Sequence, residues 1–283
     1  MIFWIASYPK SGNTWVRALL SSYYFSEDGF FNQRLLKKIG QFPEKNYFKD
    51  FDYNPRKIID TSNYWIRAQE IINEDKDIKF FKTHNVLGSI NNNRFTNKEN
   101  TLGAIYIIRD PRNIITSIQN HYELDQEEAL KFMLNEKKYI YNYHTKNDYG
   151  DFQFISSWEK NYQSWTKQKQ FSIKLVKYED LYKNTYETFK EIIEFIEKTI
   201  GTNKPFDKKR AKNSVNSTTF EKMKSIEKKK GFVESVLSKN DPNKIPFFHL
   251  GPNNDWRKIF NKEFHKKLNS IFKIILKELK YLD

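Results

Sequence analysis

The chain begins Ile2-Phe3-Trp4-Ile5-Ala6-Ser7 and runs straight into Tyr8-Pro9-Lys10-Ser11-Gly12-Asn13-Thr14-Trp15. Six uncharged residues rich in Ile and aromatics have the pattern of a strand buried on both faces. The stretch after the turn, Thr14–Tyr24, has the apolar spacing of a helix. A strand, a glycine-containing turn and a helix start together aim backbone N–H groups and the positive end of the helix at one point, which suits an anion. Lys10 adds a point charge there, and Ser11 and Thr14 add hydroxyl donors. The turn is not a Walker loop, because no G-x-x-x-x-G-K-[ST] is present, and ordinary ATP or GTP hydrolysis loses support.

Three more short runs read as buried strands: Ile78–Lys82, Ala104–Arg109 and Ile173–Lys177. Helical periodicity marks Arg112–Tyr122, Gln126–Tyr143, Ile155–Lys167, Thr185–Lys198 and Lys262–Tyr281. Strands separated by helices imply a three-layer α/β fold, a mainly parallel sheet with helices on both faces, whose ligand site lies beyond the carboxyl ends of the strands. Two stretches, Ser26–Asn54 and Asn203–Pro246, carry no clear period. No Gly/Ser or Pro linker divides the chain, so residues 1–283 are expected to form a single domain with two long excursions, such as serve as lids or binding loops.

An excess of 49 Lys and Arg over 35 Asp and Glu gives a net charge of +14, which concentrates anions such as nucleotides, sulfated sugars, nucleic acid or acidic membrane around the chain. There is no cysteine, so disulfides, thiolate nucleophiles and Cys-ligated zinc are excluded together. No basic segment followed by an apolar run precedes the first strand, and no run is long enough to span a membrane, so a cytoplasmic, unanchored protein is expected.

Tyr8-Pro9-Lys10-Ser11-Gly12-x-Thr14-Trp15 resembles the 5′-phosphosulfate-binding loop of sulfotransferases that use 3′-phosphoadenosine 5′-phosphosulfate (PAPS). That family has a P-loop-like fold. Its second signature is matched by Ile105-Tyr106-Ile107-Ile108-Arg109-Asp110-Pro111-Arg112-Asn113 with Ser117 following. The resemblance implies that Arg109 and Ser117 hold the 3′-phosphate, Arg109 by presenting a planar fork to its oxygens. Phe80-Phe81-Lys82-Thr83-His84 is similar to the family's Lys-Thr-His element, which makes His84 the general base and Lys82 an auxiliary cation. Tyr178-Glu179-Asp180-Leu181 and Thr218-Thr219-Phe220-x-x-Met223 are similar to segments enclosing the adenine, so Tyr178, Thr218, Phe220 and Trp15 are candidate base contacts.

Gly251-Pro252-Asn253-Asn254-Asp255-Trp256 resembles the late loop over the 3′-phosphate, with departures. His249-Leu250 stands where a basic pair is common, and Asn254 replaces a second glycine. Lys228-Lys229-Lys230, or Arg257, is the expected source of the missing charge. His121, His144 and His265 lack carboxylate or His partners at metal-ligand spacing, and no metal is expected.

The expected donor site is thus Lys10, Ser11, Gly12, Asn13, Thr14 and Trp15 for the 5′ end, and Arg109, Ser117, Tyr178, Thr218, Phe220 and Gly251 for the rest of the nucleotide. His84, Lys10 and Lys82 are the expected catalytic groups. PAPS is the implied donor, 3′-phosphoadenosine 5′-phosphate (PAP) the product, and a small molecule, lipid or carbohydrate the acceptor. Two other readings stand beside this one: an atypical P-loop small-molecule kinase and a basic, aromatic-rich nucleic-acid-binding protein.

Overall fold

The computed structural model describes residues 1–141, 148–202, 204–238 and 244–282. Its centre is a five-stranded sheet built from β1 (Ile2–Ser7), β2 (Gly40–Gln41), β3 (Lys79–Thr83), β4 (Thr101–Ile108) and β5 (Ser172–Lys177), in the order β2-β3-β1-β4-β5. All four pairings are parallel. The four strands read from the sequence are therefore present to within a few residues at each end. Strand β2, only two residues long and flanked by irregular chain, gave no period to detect.

Successive side chains alternate between the two faces of the sheet. Phe3 and Ile5 face one side of the sheet with Ile105 and Ile107. They pack on Val16, Leu19 and Leu20 of α1 (Asn13–Phe25) and on Ile192, Ile193 and Ile196 of a later helix, Thr185–Ile200. Ile2, Trp4 and Ala6 face the other side with Tyr106 and Ile108. They pack on Ile114, Ile115 and Ile118 of α2 (Pro111–Tyr122) and on Trp158 and Trp165 of α3 (Trp158–Thr166); the helix Thr185–Ile200 is α4. Helices thus cover both faces, and every residue of β1 is buried, which is why it reads as one continuous apolar run. Each large apolar side chain so placed contributes roughly 1.5–3 kcal/mol.

Two helical expectations need correction, and one unassigned stretch proves helical. The helix expected over Gln126–Tyr143 stops at Leu134; Tyr139–Ile140 then pairs antiparallel with Gln153–Phe154, and Tyr143 lies outside the described residues. The C-terminal helix is broken at Phe272 into Lys262–Ile271 and Lys273–Glu278. The excursion Asn203–Pro246 contains two helices, α5 (Lys208–Ser217) and α6 (Phe220–Lys230). They bury only Ala211, Ser214 and Met223, too little apolar surface to show a helical period. No helix of the described residues is long and apolar enough to cross a membrane.

The sheet's carboxyl edge is where the motifs converge. β1 leads into the loop at Tyr8, β3 into His84, β4 into Arg109 and β5 into Tyr178. The register pairs Ala6 with Thr83, Ser7 with Ile107 and Ile108 with Lys177, so the four exits lie side by side.

Candidate active site

The loop after β1 turns on two left-handed residues, Lys10 at φ 66° and Gly12 at φ 101°. Gly12 caps α1 with no side-chain hydrogen bond; its carbonyl accepts from the Trp15 and Val16 N–H groups at 3.1 and 3.2 Å, and the N–H groups ahead of them, at the helix start, have no carbonyl of their own helix to reach. A Cβ at Gly12 would lie 2.6 Å from Cδ2 of Tyr178, so the close approach of the loop to that ring requires glycine. Trp15 meets Tyr178 edge-on at 5.7 Å between centroids, and the guanidinium of Arg109 lies 4.2 Å from the Tyr178 centroid. Arg109 also donates from Nη1 to the Lys10 carbonyl at 3.4 Å. The loop and the exits of β4 and β5 are thereby one packed unit.

A cleft of about 1080 Å³ runs along this edge. Lys10, Gly12, Asn13, Thr14, Trp15, Lys82, His84, Arg109, Ser117, Tyr178, Thr218, Phe220 and Gly251 all line it. Of the expected site residues Ser11 alone is not at its wall; its hydroxyl is buried behind the loop without a hydrogen-bond partner. Asn13 reaches the wall, but its side chain turns inward, donating to the Ile5 carbonyl at 2.9 Å and to Ser7 Oγ at 3.1 Å. Its contribution to the cleft is its place in the helix terminus. Thr218 is likewise turned away, its hydroxyl donating to the Ser214 carbonyl at 2.8 Å.

His84 is fixed from three directions. Its Nδ1 lies 2.8 Å from the Ser7 carbonyl and 3.2 Å from Ser7 Oγ, its N–H donates to Gln153 Oε1 at 2.7 Å, and its carbonyl accepts from Asn161 Nδ2 at 2.9 Å. Burial, and then the charge of Lys82, lower its pKa to about 3, so the imidazole is neutral. Lys10 Nζ is buried, has no hydrogen-bond partner and sits 4.2 Å from the Phe247 ring centroid. Burial lowers its pKa to about 8 although Glu234 pulls the other way.

Arg-Asp-Pro-Arg divides its labour. Arg109 is directed at the cleft, whereas Arg112 is 1% exposed, holds Asp110 at 2.7 Å and lies 4.2 Å from the Trp256 centroid. Asp110 in turn caps α2, accepting from the Arg112 N–H at 2.9 Å. In the late loop, Gly251 is again a close approach, since a Cβ would meet the Phe220 ring at 2.3–2.5 Å. Asn254, the departure from glycine, ties this loop to α2: it accepts from Thr116 Oγ1 at 2.6 Å and donates to the Asn113 carbonyl at 2.9 Å and to Ser117 Oγ at 3.4 Å.

The expected charge compensation is placed elsewhere. Lys228, Lys229 and Lys230 form the last turn of α6, exposed, and Arg257 stands over Trp256 beside Asp255 at 3.8 Å; none of the four lines the cleft. Lys224 reaches the loop instead, with Nζ 3.4 Å from the His249 carbonyl.

Two residues that the motifs did not flag complete the site. Arg17, three residues after Thr14 and so on the same side of α1, donates to the Leu36 and Ile39 carbonyls at 3.0 and 2.8 Å and pairs with Glu234. Glu234 also accepts from the Thr14 hydroxyl and lies 3.7 Å from Lys82. The apolar run Val16–Leu20 interrupted by Arg17 was a signal that an arginine is buried; nothing local marked Glu234. His121 lines the cleft as well, and His144 lies outside the described residues.

Residues 2–282 match the family model for the sulfotransferase domain. Sulfotransferase 1B1 of mouse (Mus musculus) is 22% identical over 274 residues, which cover 95% of this chain and 80% of the relative; that of dog (Canis lupus familiaris) is 24% identical, covering 95% and 81%. Among solved structures, mouse sulfotransferase SULT7A1 complexed with PAP is similar at a TM-score of 0.55 and 19% identity, over 97% of this chain and 84% of that one. Retinol dehydratase with androsterone and the inactive cofactor PAP is similar at 0.57 and 18%, over 98% and 80%. At these identities the structural likeness speaks for the fold, while the family match spans the chain from its first strand to its last helix: the chain belongs to the sulfotransferase family, and it is a sulfotransferase.

Proposed function

We propose that this chain, acting as one catalytic unit, moves a sulfuryl group from PAPS to a hydroxyl or amine of a small-molecule, lipid or carbohydrate acceptor. The observation that carries the donor assignment is a set of buried polar atoms with no hydrogen-bond partner, Lys10 Nζ, Trp15 Nε1 and Arg109 Nε, on three residues that line one cleft. Leaving such a group unsatisfied costs about 1–3 kcal/mol, and more for a charged one. A ligand with phosphate oxygens at both ends meets that demand. The 5′-phosphosulfate fits the end at Lys10, Thr14 and the start of α1, and the 3′-phosphate fits Arg109 and Ser117. Tyr178, Trp15 and Phe220 supply ring faces and edges for the adenine.

The reacting residues follow from His84. A carbonyl only accepts, so Nδ1 at 2.8 Å from the Ser7 carbonyl carries the proton, and Nε2 keeps its lone pair. As the acceptor oxygen or nitrogen bonds to sulfur and the bond from sulfur to the bridging oxygen breaks, Nε2 takes the acceptor's proton. Lys10 follows the charge onto the leaving oxygen, and Lys82 assists. Stabilisation of that charge by groups already in place is the main contribution expected of the protein. Small-molecule acceptors suit the cleft's size, and retinol dehydratase, of the same fold, was solved with androsterone.

Calorimetry with PAP and AMP tests the donor, and transfer of label from PAPS across an acceptor panel tests the reaction. PAP should bind far more tightly than AMP, and Arg109→Ala should remove most of that difference. Equal affinities of the unaltered chain for the two nucleotides would end the PAPS assignment.

A further inference from the structure

The donor site described above already contains an anion, and it is part of the chain. Glu234 reaches into the cleft from the run after α6, where its carboxylate accepts from Thr14 Oγ1 and Arg17 Nη1 and stands 3.7 Å from Lys82. Thr14 belongs to the loop that would hold the 5′-phosphosulfate, and Lys82 is one of the cations that would face the transferring group. A carboxylate and a sulfuryl or phosphoryl oxygen make the same demands on a hydroxyl and a cation. Both cannot hold Thr14 and Lys82 at once.

We propose that Glu234 is an internal competitor for the donor: its carboxylate occupies the 5′-phosphosulfate subsite, and the nucleotide binds by displacing it. The inference rests on the donor reading given above. Burial opposes the charge of Glu234, but Lys82, Arg17 and the Thr14 hydroxyl more than offset this and hold its carboxyl well below the usual range, so it is an anion wherever the enzyme would work.

The segment carrying Glu234 is held in a way that allows exchange. Val233 and Leu237 on either side are 62% and 46% exposed, so little apolar burial keeps this run against the cleft. Its anchors lie outside the carboxylate: Phe232 packs with Phe247, Phe248 and Leu36, and Glu227 of α6 accepts from Ser235 Oγ at 2.6 Å and from the Phe247 and Phe248 N–H groups at 2.7 and 3.0 Å. The carboxylate can therefore leave while both ends of the run stay attached. Donor affinity is reduced by whatever fraction of molecules have Glu234 in place, and the same contact helps to expel the nucleotide product.

Calorimetry with two probes on three proteins tests this. Glu234→Gln keeps the length of the side chain and one acceptor oxygen for Thr14 and Arg17 but removes the charge; Glu234→Asp keeps the charge and withdraws it by one methylene. PAP, which has a 5′-phosphate, should bind Glu234→Gln about tenfold more tightly than the parent, a change of about 1.4 kcal/mol. Glu234→Asp should fall between them. Adenosine 3′-monophosphate, which has no group for the contested subsite, should bind all three within about twofold. Unchanged or weaker PAP binding in both variants overturns the proposal, as does an equal gain for both nucleotides, which would mean only a wider cleft. If neither nucleotide binds any of the three proteins, the donor reading fails and this inference fails with it. Should Glu234→Gln not fold with Arg17 unpaired, Glu234→Asp carries the same comparison.

Discussion

The Ser7 carbonyl, at the last residue of β1, orients the imidazole of His84, at the end of β3, through a 2.8 Å hydrogen bond that fixes which ring nitrogen bears the proton. Two neighbouring strands thus set the tautomer before any substrate arrives, and burial, with the charge of Lys82, lowers the His84 pKa to about 3 and so favours the neutral ring. His84→Ala is expected to lower turnover by about 10²–10⁴-fold, the usual range for a general base, while PAP affinity changes by less than threefold. A variant that keeps most of its turnover would remove His84 from the chemistry. Loss of PAP affinity in step with turnover would make it a structural residue of the loop.

The same burial has a consequence for stability. His84 and His121 both have pKa values lowered to about 3 by burial, against roughly 6.5 in an unfolded chain. Between those limits the unfolded chain binds more protons, so stability rises with pH there and falls as the solution is acidified below about 6.5. Each imidazole contributes a slope of roughly 1.4 kcal/mol per pH unit. Replacing His121 by Phe should flatten the dependence measured by urea unfolding between pH 6 and pH 4.5 by about that amount. An unchanged slope would show that His121 titrates normally.

How much of this was legible differs from residue to residue. β1 and β4 stood out because almost every residue is buried, which makes each an apolar run, while β3 and the edge strand β5 carry lysines and were marked only by the aromatic and β-branched residues between them. Lys10, Gly12, Arg109 and Tyr178 were readable because each follows such a strand, and parallel strands in register deliver their exits to one edge. Glu234 was not readable, because its partners Thr14 and Arg17 are more than 200 residues away and its own segment is neither apolar nor periodic. The same holds for Asn254, whose service to Thr116 and Asn113 depends on a loop packing that no spacing records. The Lys228–Lys230 run misled for the opposite reason: nearness in sequence and a high charge suggested the cleft, but α6 turns its last turn outward.

Lys10 should make donor affinity depend on pH in the alkaline range. Burial lowers its pKa to about 8 in the donor-free chain, whereas a bound phosphate would favour the charged form and raise it. Binding between these two values must take up a proton. PAP affinity should therefore fall by about tenfold per pH unit above pH 8 and be nearly flat below it, with a binding enthalpy that varies with the ionisation enthalpy of the buffer. Lys10→Arg, whose charge does not titrate in this range, should remove the slope even if it weakens binding. A parent profile that is flat from pH 7.5 to 9.5 would mean that Lys10 does not meet the phosphate.

The two close approaches of glycine to a ring can be separated from the effect of backbone conformation alone. Gly12, Gly201 and Gly251 all have positive φ, at 101°, 72° and 54°, so an alanine at any of them pays for a left-handed backbone, about 1–2 kcal/mol. Gly201 ends α4 with open space for at least 4 Å around the point where a Cβ would stand, and Gly201→Ala should cost that strain and no more. At Gly12 the new methyl would stand 2.6 Å from Tyr178, and at Gly251 it would stand 2.3 Å from Phe220, so each ring must move as well. Tyr178 cannot shift without disturbing the Arg109 guanidinium stacked 4.2 Å above it, nor Phe220 without loosening its contact with Phe248. Gly12→Ala and Gly251→Ala are thus expected to melt lower than Gly201→Ala and to lose at least about tenfold in PAP affinity. Gly201→Ala should bind PAP as the parent does. If all three lose the same stability and none loses affinity, the rings of Tyr178 and Phe220 do not form the walls of the nucleotide site.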